Sequence, residues 1–215
     1  MESFTSLKLF TLQQTNRQMT KEEVTKKFRA FLADRLPADE AAFSLAEPFI
    51  EVVHVRKGEL FVQRDKVTRR FAFIASGIMR AFSFNDGEEK TSCICTENAF
   101  ANSTVSFITQ TPSEVNIQAL TDVVLLTIHY DHLQQLYRQS PWWLHVGRII
   151  MEQEFLSLQQ KTVRFAQLPP DDKYLSLLKE NPEVIREVPL KHIASFLNIT
   201  PETLSRIRKR TGRVS

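Results

Sequence analysis

The sequence is short of glycine, of cysteine and of long apolar runs, and each shortage closes off a class of protein. Only five glycines occur in 215 residues: Gly58, Gly77, Gly87, Gly147 and Gly212. None of them cluster, so neither a GxGxxG turn nor a GxxxxGK[ST] loop can be built, because cradling a phosphate with backbone N–H groups needs neighbouring residues free of Cβ. A Rossmann or P-loop nucleotide site is not expected. The two cysteines, Cys93 and Cys95, cannot make a disulfide framework, and on one extended segment they share a face where a bridge between them would be strained. They suit a reducing cytoplasm, and no basic-then-apolar leader opens the chain. The longest apolar stretch, from Val123 to Ile128, is far too short to cross a bilayer, so no membrane partner is expected.

What is present is an ordinary globular composition, 42% hydrophobic and 25% charged, in a chain long enough for one or two domains. The net charge of +3 is unevenly spread. Residues 1–160 carry 17 Lys and Arg against 19 Asp and Glu, whereas residues 161–215 carry 11 against 6. The last ten residues, RIRKRTGRVS, hold five basic groups and no acid. A basic block of this kind suits a polyanion such as nucleic acid, and equally a solvated tail.

The hydrophobic period changes twice along the chain. Residues 20–47 read as helical, with Val24, Phe28, Phe31 and Leu32 at helix spacing and a break at Pro37. From Glu51 the segments EVVHV, ELFVQ, RFAFIA, GIMRAFSF, KTSCICT, VNIQAL and VVLLTIHY read as seven short strands of a sandwich or roll. Asn85-Asp86-Gly87 is the strongest hairpin signal, since the turn needs positive φ. Asp131 then starts a short helix, and Pro141 opens a long one running to about Phe165. Trp142, Val146, Ile149, Leu156 and Val163 lie along one side of this long helix, with Met151, Phe155, Leu158 and Phe165 roughly opposite. Opposed stripes predict burial on two sides, between the helix's own domain and a second chain, or a core position within one subunit. Leu168-Pro169-Pro170 forbids a continuing helix, and all that follows reads as helical.

The segment VPLKHIASFLNITPETLSRIRKRT, residues 188–211, has the layout of a helix-turn-helix. Ile193, Ala194 and Leu197 form the inward face of a first helix. Asn198-Ile199-Thr200 makes the turn, with Thr200 as N-cap and Pro201 at the first position of a second helix buried by Leu204 and Ile207. Glu202, Thr203, Ser205, Arg206 and Lys209 are left facing out, suited to base edges and phosphates. Through IASFLNITPETLSRIRK, and through the order of roll, long helix and helical C-terminus, the chain resembles the Crp/Fnr family of bacterial transcription regulators.

That resemblance implies an α+β fold: N-terminal helices with a cyclic nucleotide-binding-like β-roll (double-stranded β-helix) in residues 1–140, a dimerisation helix at 141–166, and an all-α, winged-helix-like helix-turn-helix domain in residues 167–215. It also implies a cytoplasmic homodimer paired through Val146, Ile149, Leu156 and Val163 that reads a palindromic site in double-stranded DNA. Glu202 and Arg206 match the family's base readers, for cytosine N4 and guanine O6/N7 respectively, and at i, i+4 each can orient the other. Thr200, Thr203, Ser205, Lys209 and Arg210 complete the DNA-binding set, with Arg208 and Arg213 as further basic candidates and Gly212 as C-cap. Pro201 stands where some members have another base-reading arginine, so the half-site should differ from theirs. RNA polymerase and a small-molecule effector are the further partners implied.

The effector cassette departs from the family. Members that bind cyclic AMP hold the ribose with a Gly-Glu pair and the cyclic phosphate with an Arg-Ser pair; here the aligned positions read Asn102-Ser103 and Ser113-Glu114. Ser113 carries no positive charge, and Glu114 would repel the phosphate. Cyclic AMP binding by the usual mechanism is therefore not expected. Arg64 and Arg80 could reach into the roll, but surface positions are expected for both.

Other constellations are weaker. Cys93 and Cys95 are too few for an iron–sulfur cluster and read as strand packing. His129-x-x-His132 lacks further zinc ligands nearby in sequence, and nothing supports haem, so no cofactor or metal is expected. No GxSxG, HExxH or histidine-rich cupin cluster marks an enzyme. The competing readings are a cupin-like small-molecule enzyme, or an interaction protein whose helix-turn-helix no longer binds DNA.

Overall fold

A computed structural model of the chain describes residues 19–211, apart from the side chains of residues 160, 161 and 163–167. Helix α1 (Lys21–Ala33) begins at a reciprocal cap, in which the Thr20 hydroxyl accepts from the Glu23 N–H while the Glu23 carboxylate accepts from the Thr20 N–H. The expected break around Pro37 is real: Asp39 caps a second helix, α2 (Glu40–Ala46), which runs into a 3₁₀ turn (Glu47–Phe49).

The roll follows in seven strands: β1 (Glu51–Val55), β2 (Leu60–Val62), β3 (Arg70–Ser76), β4 (Met79–Asn85), β5 (Glu88–Cys95), β6 (Asn116–Ala119) and β7 (Val123–His129), with the short helix α3 (Thr104–Thr109) between β5 and β6. They form two antiparallel sheets, ordered β1-β7-β3 and β2-β6-β4-β5. Asp86 (φ 50) and Gly87 (φ 82) make the hairpin turn between β4 and β5. At Gly77 (φ +95) a Cβ would lie 2.5 Å from the Asp122 carbonyl oxygen, so only glycine can join β3 to β4 here.

Strand alternation divides the interior between two cores. Phe71, Phe73 and Ala75 of β3, with Leu126 and Ile128 of β7, face the helices. Ala72 and Ile74, with Val123 and Leu125, face the other sheet. The helical side is closed by α4 (Tyr130–Gln139) and the first half of α5 (Pro141–Gln167), whose Trp143, Val146 and Ile150 are buried there. The Trp143 indole N–H donates to the Ala42 carbonyl at 2.7 Å, which satisfies the one polar atom of a buried ring.

After Pro169 come α6 (Pro170–Glu180), α7 (Pro182–Glu187), α8 (Leu190–Leu197) and α9 (Pro201–Thr211). Among the described residues this C-terminal segment is all helix, without the strands of a wing. It does not stand apart from the roll. Ile94 of β5, with Ile78 just before β4 and Leu120 just after β6, joins Tyr174, Leu177, Val184, Ile193, Leu197, Leu204 and Ile207 in a third core.

Candidate nucleic-acid interface

The α8–α9 pair is built by local chemistry. Helix α8 stops at Asn198, whose left-handed backbone (φ 56) lets the Ile199 N–H close on the Ala194 carbonyl at 3.0 Å. Thr200 then restarts the chain by accepting from the Thr203 N–H at 3.2 Å, and Pro201 takes the first helical position. Ile193, Ala194 and Leu197 of α8 pack against Leu204 and Ile207 of α9, so the outward face of α9 is set by its 3.6-residue period.

That face carries Glu202, Arg206, Arg208, Lys209 and Arg210 exposed, with Thr203 and Ser205 half-buried beside them. The Glu202 carboxyl is held below the ordinary carboxylate range, chiefly by its own backbone N–H, then by the Thr200 hydroxyl and the Arg206 charge. Arg206 donates to the Thr203 hydroxyl at 3.2 Å, so its orienting contact is one turn back rather than the expected one with Glu202. Arg210 is turned aside into an ion pair with Asp171 at the start of α6. Gly212 and Arg213 lie outside the described residues.

Behind this face is a polar joint to the roll. Arg80 of β4, expected at the surface, is only 2% exposed. Alternation sends it outward from the roll, but α8 covers it. Its Nε and Nη2 donate to Gln118 Oε1 at 3.0 and 2.7 Å, its Nη2 also meets Glu89 at 2.5 Å, and its plane lies 4.0 Å over the Phe82 ring. Its Nη1 sits 2.9 Å from His192 Nδ1. Arginine can only donate, so Nδ1 is the unprotonated acceptor of a neutral imidazole. Burial first, then the positive charges of Arg80 and Lys191, push the His192 pKa down from 6.5 to about 4, with Glu89 opposing. Ser195, one turn further along α8, accepts from the Thr91 N–H at 2.9 Å and donates to the Glu89 carbonyl at 3.4 Å. Sequence reasoning missed Arg80, His192 and Ser195 as a group. The available signal was an arginine set among apolar residues in strand β4.

The long helix is buried on one side and bare on the other, but its faces are not divided as expected. Val146 is 2% exposed within its own subunit's core, and Ile149 is half-buried. Inward-facing Trp143, rather than Trp142, sets this phase. The exposed apolar residues are Leu144 (57%), Phe155 (60%), Leu158 (64%) and Leu156 (56%). Leu144, Arg148, Met151, Phe155 and Leu158 alternate at four and three residues, the spacing of a two-helix seam. The Val163 and Phe165 side chains lie outside the described residues.

Residues 52–140 match the family model of the cyclic nucleotide-binding domain. Three solved structures share the architecture across most of their length. The c-di-GMP-responsive global regulator CLP of Xanthomonas campestris is 19% identical, over 81% of this chain and 92% of that one, with a TM-score of 0.64. FixK2 of Bradyrhizobium japonicum is 13% identical, over 76% and 85%, with a TM-score of 0.66. A Crp/Fnr-family regulator of Eubacterium rectale is 18% identical, over 82% and 87%, with a TM-score of 0.62. The fold is that of the Crp/Fnr regulators. No curated protein matches the sequence.

Within the Crp/Fnr fold, the altered cassette positions serve the scaffold. The Asn102 side-chain oxygen accepts from the Ala72 N–H of β3 at 2.8 Å. Ser103 is buried at the start of α3. The Ser113 hydroxyl, also buried, donates to the Val115 carbonyl at 2.8 Å within its own loop. Glu114 is exposed, so it does not place a charge in a desolvated pocket as expected. Arg64 is at the surface beside Asp65. His129 Nδ1 accepts from the Asp131 N–H, and the His132 ring stacks on Phe49 at 4.4 Å while its buried Nδ1 has no hydrogen-bond partner among the described residues. No helix among the described residues is long and apolar enough to cross a membrane.

Proposed function

We propose that the chain is a dimeric, sequence-specific DNA-binding regulator of transcription, in which α8–turn–α9 is the helix-turn-helix and α9 enters the major groove. The observation that carries this reading is the outward face of α9, where Glu202 and Arg206 stand exposed with basic groups around them while Leu204 and Ile207 hold the helix from behind. Glu202 accepts from a base amine, Arg206 reads guanine, and Thr203, Ser205 and Lys209 contact phosphate. Thr200 holds the start of the helix, and Arg210 contributes once it leaves Asp171.

Dimerisation uses the seam of Leu144, Met151, Phe155 and Leu158, with Leu156 at its margin. Two copies paired this way present two α9 helices to one face of a palindromic duplex, about 34 Å apart. Cyclic AMP is not the effector in this reading, because the cassette supplies no cation for its phosphate. Any small-molecule effector, and contact with RNA polymerase, follow from the same assignment. Selection of binding sites from a random DNA pool tests it. An enriched palindrome is expected, and a pool that stays random at low salt overturns the reading.

A further inference from the structure

Cys93 and Cys95 are both half-buried on β5. Their sulfurs lie 3.4 Å apart. Alternate residues of a strand share a face, and the register slip between Ala81 and Phe82 places an extra residue, Ser92, just before Cys93, where a bulge re-aims the side chains that follow. Strand β5 is the edge of its sheet, and Cys93 and Cys95 border a cavity of about 250 Å³ there, Cys95 also packing against the core inside the roll. The far walls of that cavity include Glu154 of α5, Leu177 and Glu180 of α6, and Phe196 of α8. The two thiols therefore sit where roll, long helix and C-terminal helices meet.

We infer that Cys93 and Cys95 form a bidentate site for a thiophilic trivalent centre of the monosubstituted arsenical class, held at the joint between the roll and the C-terminal helices. An arsenoxide, R–As=O, condenses with two thiols: two As–S bonds form, the oxygen leaves as water with both thiol protons, and neither arsenic nor sulfur changes oxidation state. No oxidant is needed. Both remaining arsenic valences are met by one chain, without a third protein ligand. A zinc site, by contrast, takes about four ligands. The cavity also has room, because about 150 Å³ of apolar space is enough to hold a benzene ring. Leu177 and Phe196 supply apolar wall.

Because these walls belong to both sides of the joint, an occupant acts on the placement of α8 and through it on α9. The effect on DNA rests on the function proposed above; the binding does not.

The test uses the reduced full-length protein and phenylarsine oxide. With only two cysteines in the chain, the reactive thiol titre should fall from two to none at one equivalent. Cys93→Ser and Cys95→Ser should each bind at least about 100-fold more weakly, since a single thiol loses the chelate advantage. Hydrogen exchange in α6 to α8 should quicken on loading. Should either serine variant fail to fold, protection of the parent's thiols from N-ethylmaleimide decides the matter. Thiols that stay reactive at one equivalent, or serine variants that bind as tightly as the parent, overturn the site. DNA affinity is measured separately, so a failure of the DNA assignment leaves the thiol titre untouched.

Discussion

The Arg80 guanidinium and the His192 imidazole, 112 residues apart in sequence, meet at 2.9 Å and tie strand β4 to the helix that backs α9. Arg80 also holds Glu89 and Gln118, so one buried cation organises both sides of the joint. Replacing it strands several partners at once. Arg80→Met, which keeps the apolar stem, should cost about 2–3 kcal/mol, below the full penalty for a buried pair because Glu89 is partly solvated. Denaturant unfolding measures the loss, and protease cleavage near residues 168–170 should quicken. Unchanged stability and cleavage would show that the joint contributes nothing.

The same contact predicts a pH dependence. The charged groups facing His192 are Arg80 from β4, Glu89 from β5 and Lys191 from α8. Its folded pKa, about 4, lies below the ordinary 6.5, so as pH falls the unfolded chain takes the proton first. The contribution is complete above pH 6.5 and is lost progressively between about 6.5 and 4. His192→Gln should flatten this part of the stability profile. An identical slope in the variant would rule His192 out as its source.

Arg206→Ala should weaken binding to a selected DNA site by about 1–3 kcal/mol while leaving non-specific, salt-dependent affinity largely intact. Lys209→Ala should instead weaken all sequences alike and reduce the salt slope by about one. Titration against matched and scrambled duplexes at several salt concentrations separates the two. Equal losses on both duplexes for Arg206→Ala would remove it as a base reader.

Glutamate at both Phe155 and Leu158 should convert a dimer to a monomer in sedimentation, with little change in the unfolding midpoint of the roll. Both side chains are exposed and lie beyond the half of α5 that builds the subunit's own core. Val146→Glu should do the opposite: unfold the subunit, because it buries a charge among Trp143, Ile150 and their neighbours.

Calorimetric titration with cyclic AMP or cyclic GMP should give no saturable heat at micromolar protein. Binding that vanished on changing Asn102 or Ser113 would show that the cassette keeps a mode of its own.

Much of the architecture was legible in the sequence because it is local. All seven strands stand where their apolar segments and turn residues put them, and Asp86-Gly87 turns the β4–β5 hairpin. The α8–α9 turn could be read from Asn198, Thr200 and Pro201 alone. What sequence could not give was burial decided by distant chain. Arg80 looks like a surface strand residue until α8 covers it, and Trp142 and Trp143 are equivalent by composition although only Trp143 finds the Ala42 carbonyl. That one-residue phase shift moved Val146 from the expected seam into the core. The nearness of Cys93 and Cys95 was readable from their spacing, whereas the cavity they border required helices from three parts of the chain.

Ser195 has a further consequence for β5. As the last strand of its sheet, β5 has no strand partner on one side among the described residues, yet the Ser195 hydroxyl accepts from the Thr91 N–H and donates to the Glu89 carbonyl, as a neighbouring strand's backbone would. Helix α8 thus shields an otherwise sticky edge, and any state that lifts it away offers β5 as a template for pairing with another molecule. Swinging the C-terminal helices free carries an aggregation hazard as well as a change in reach.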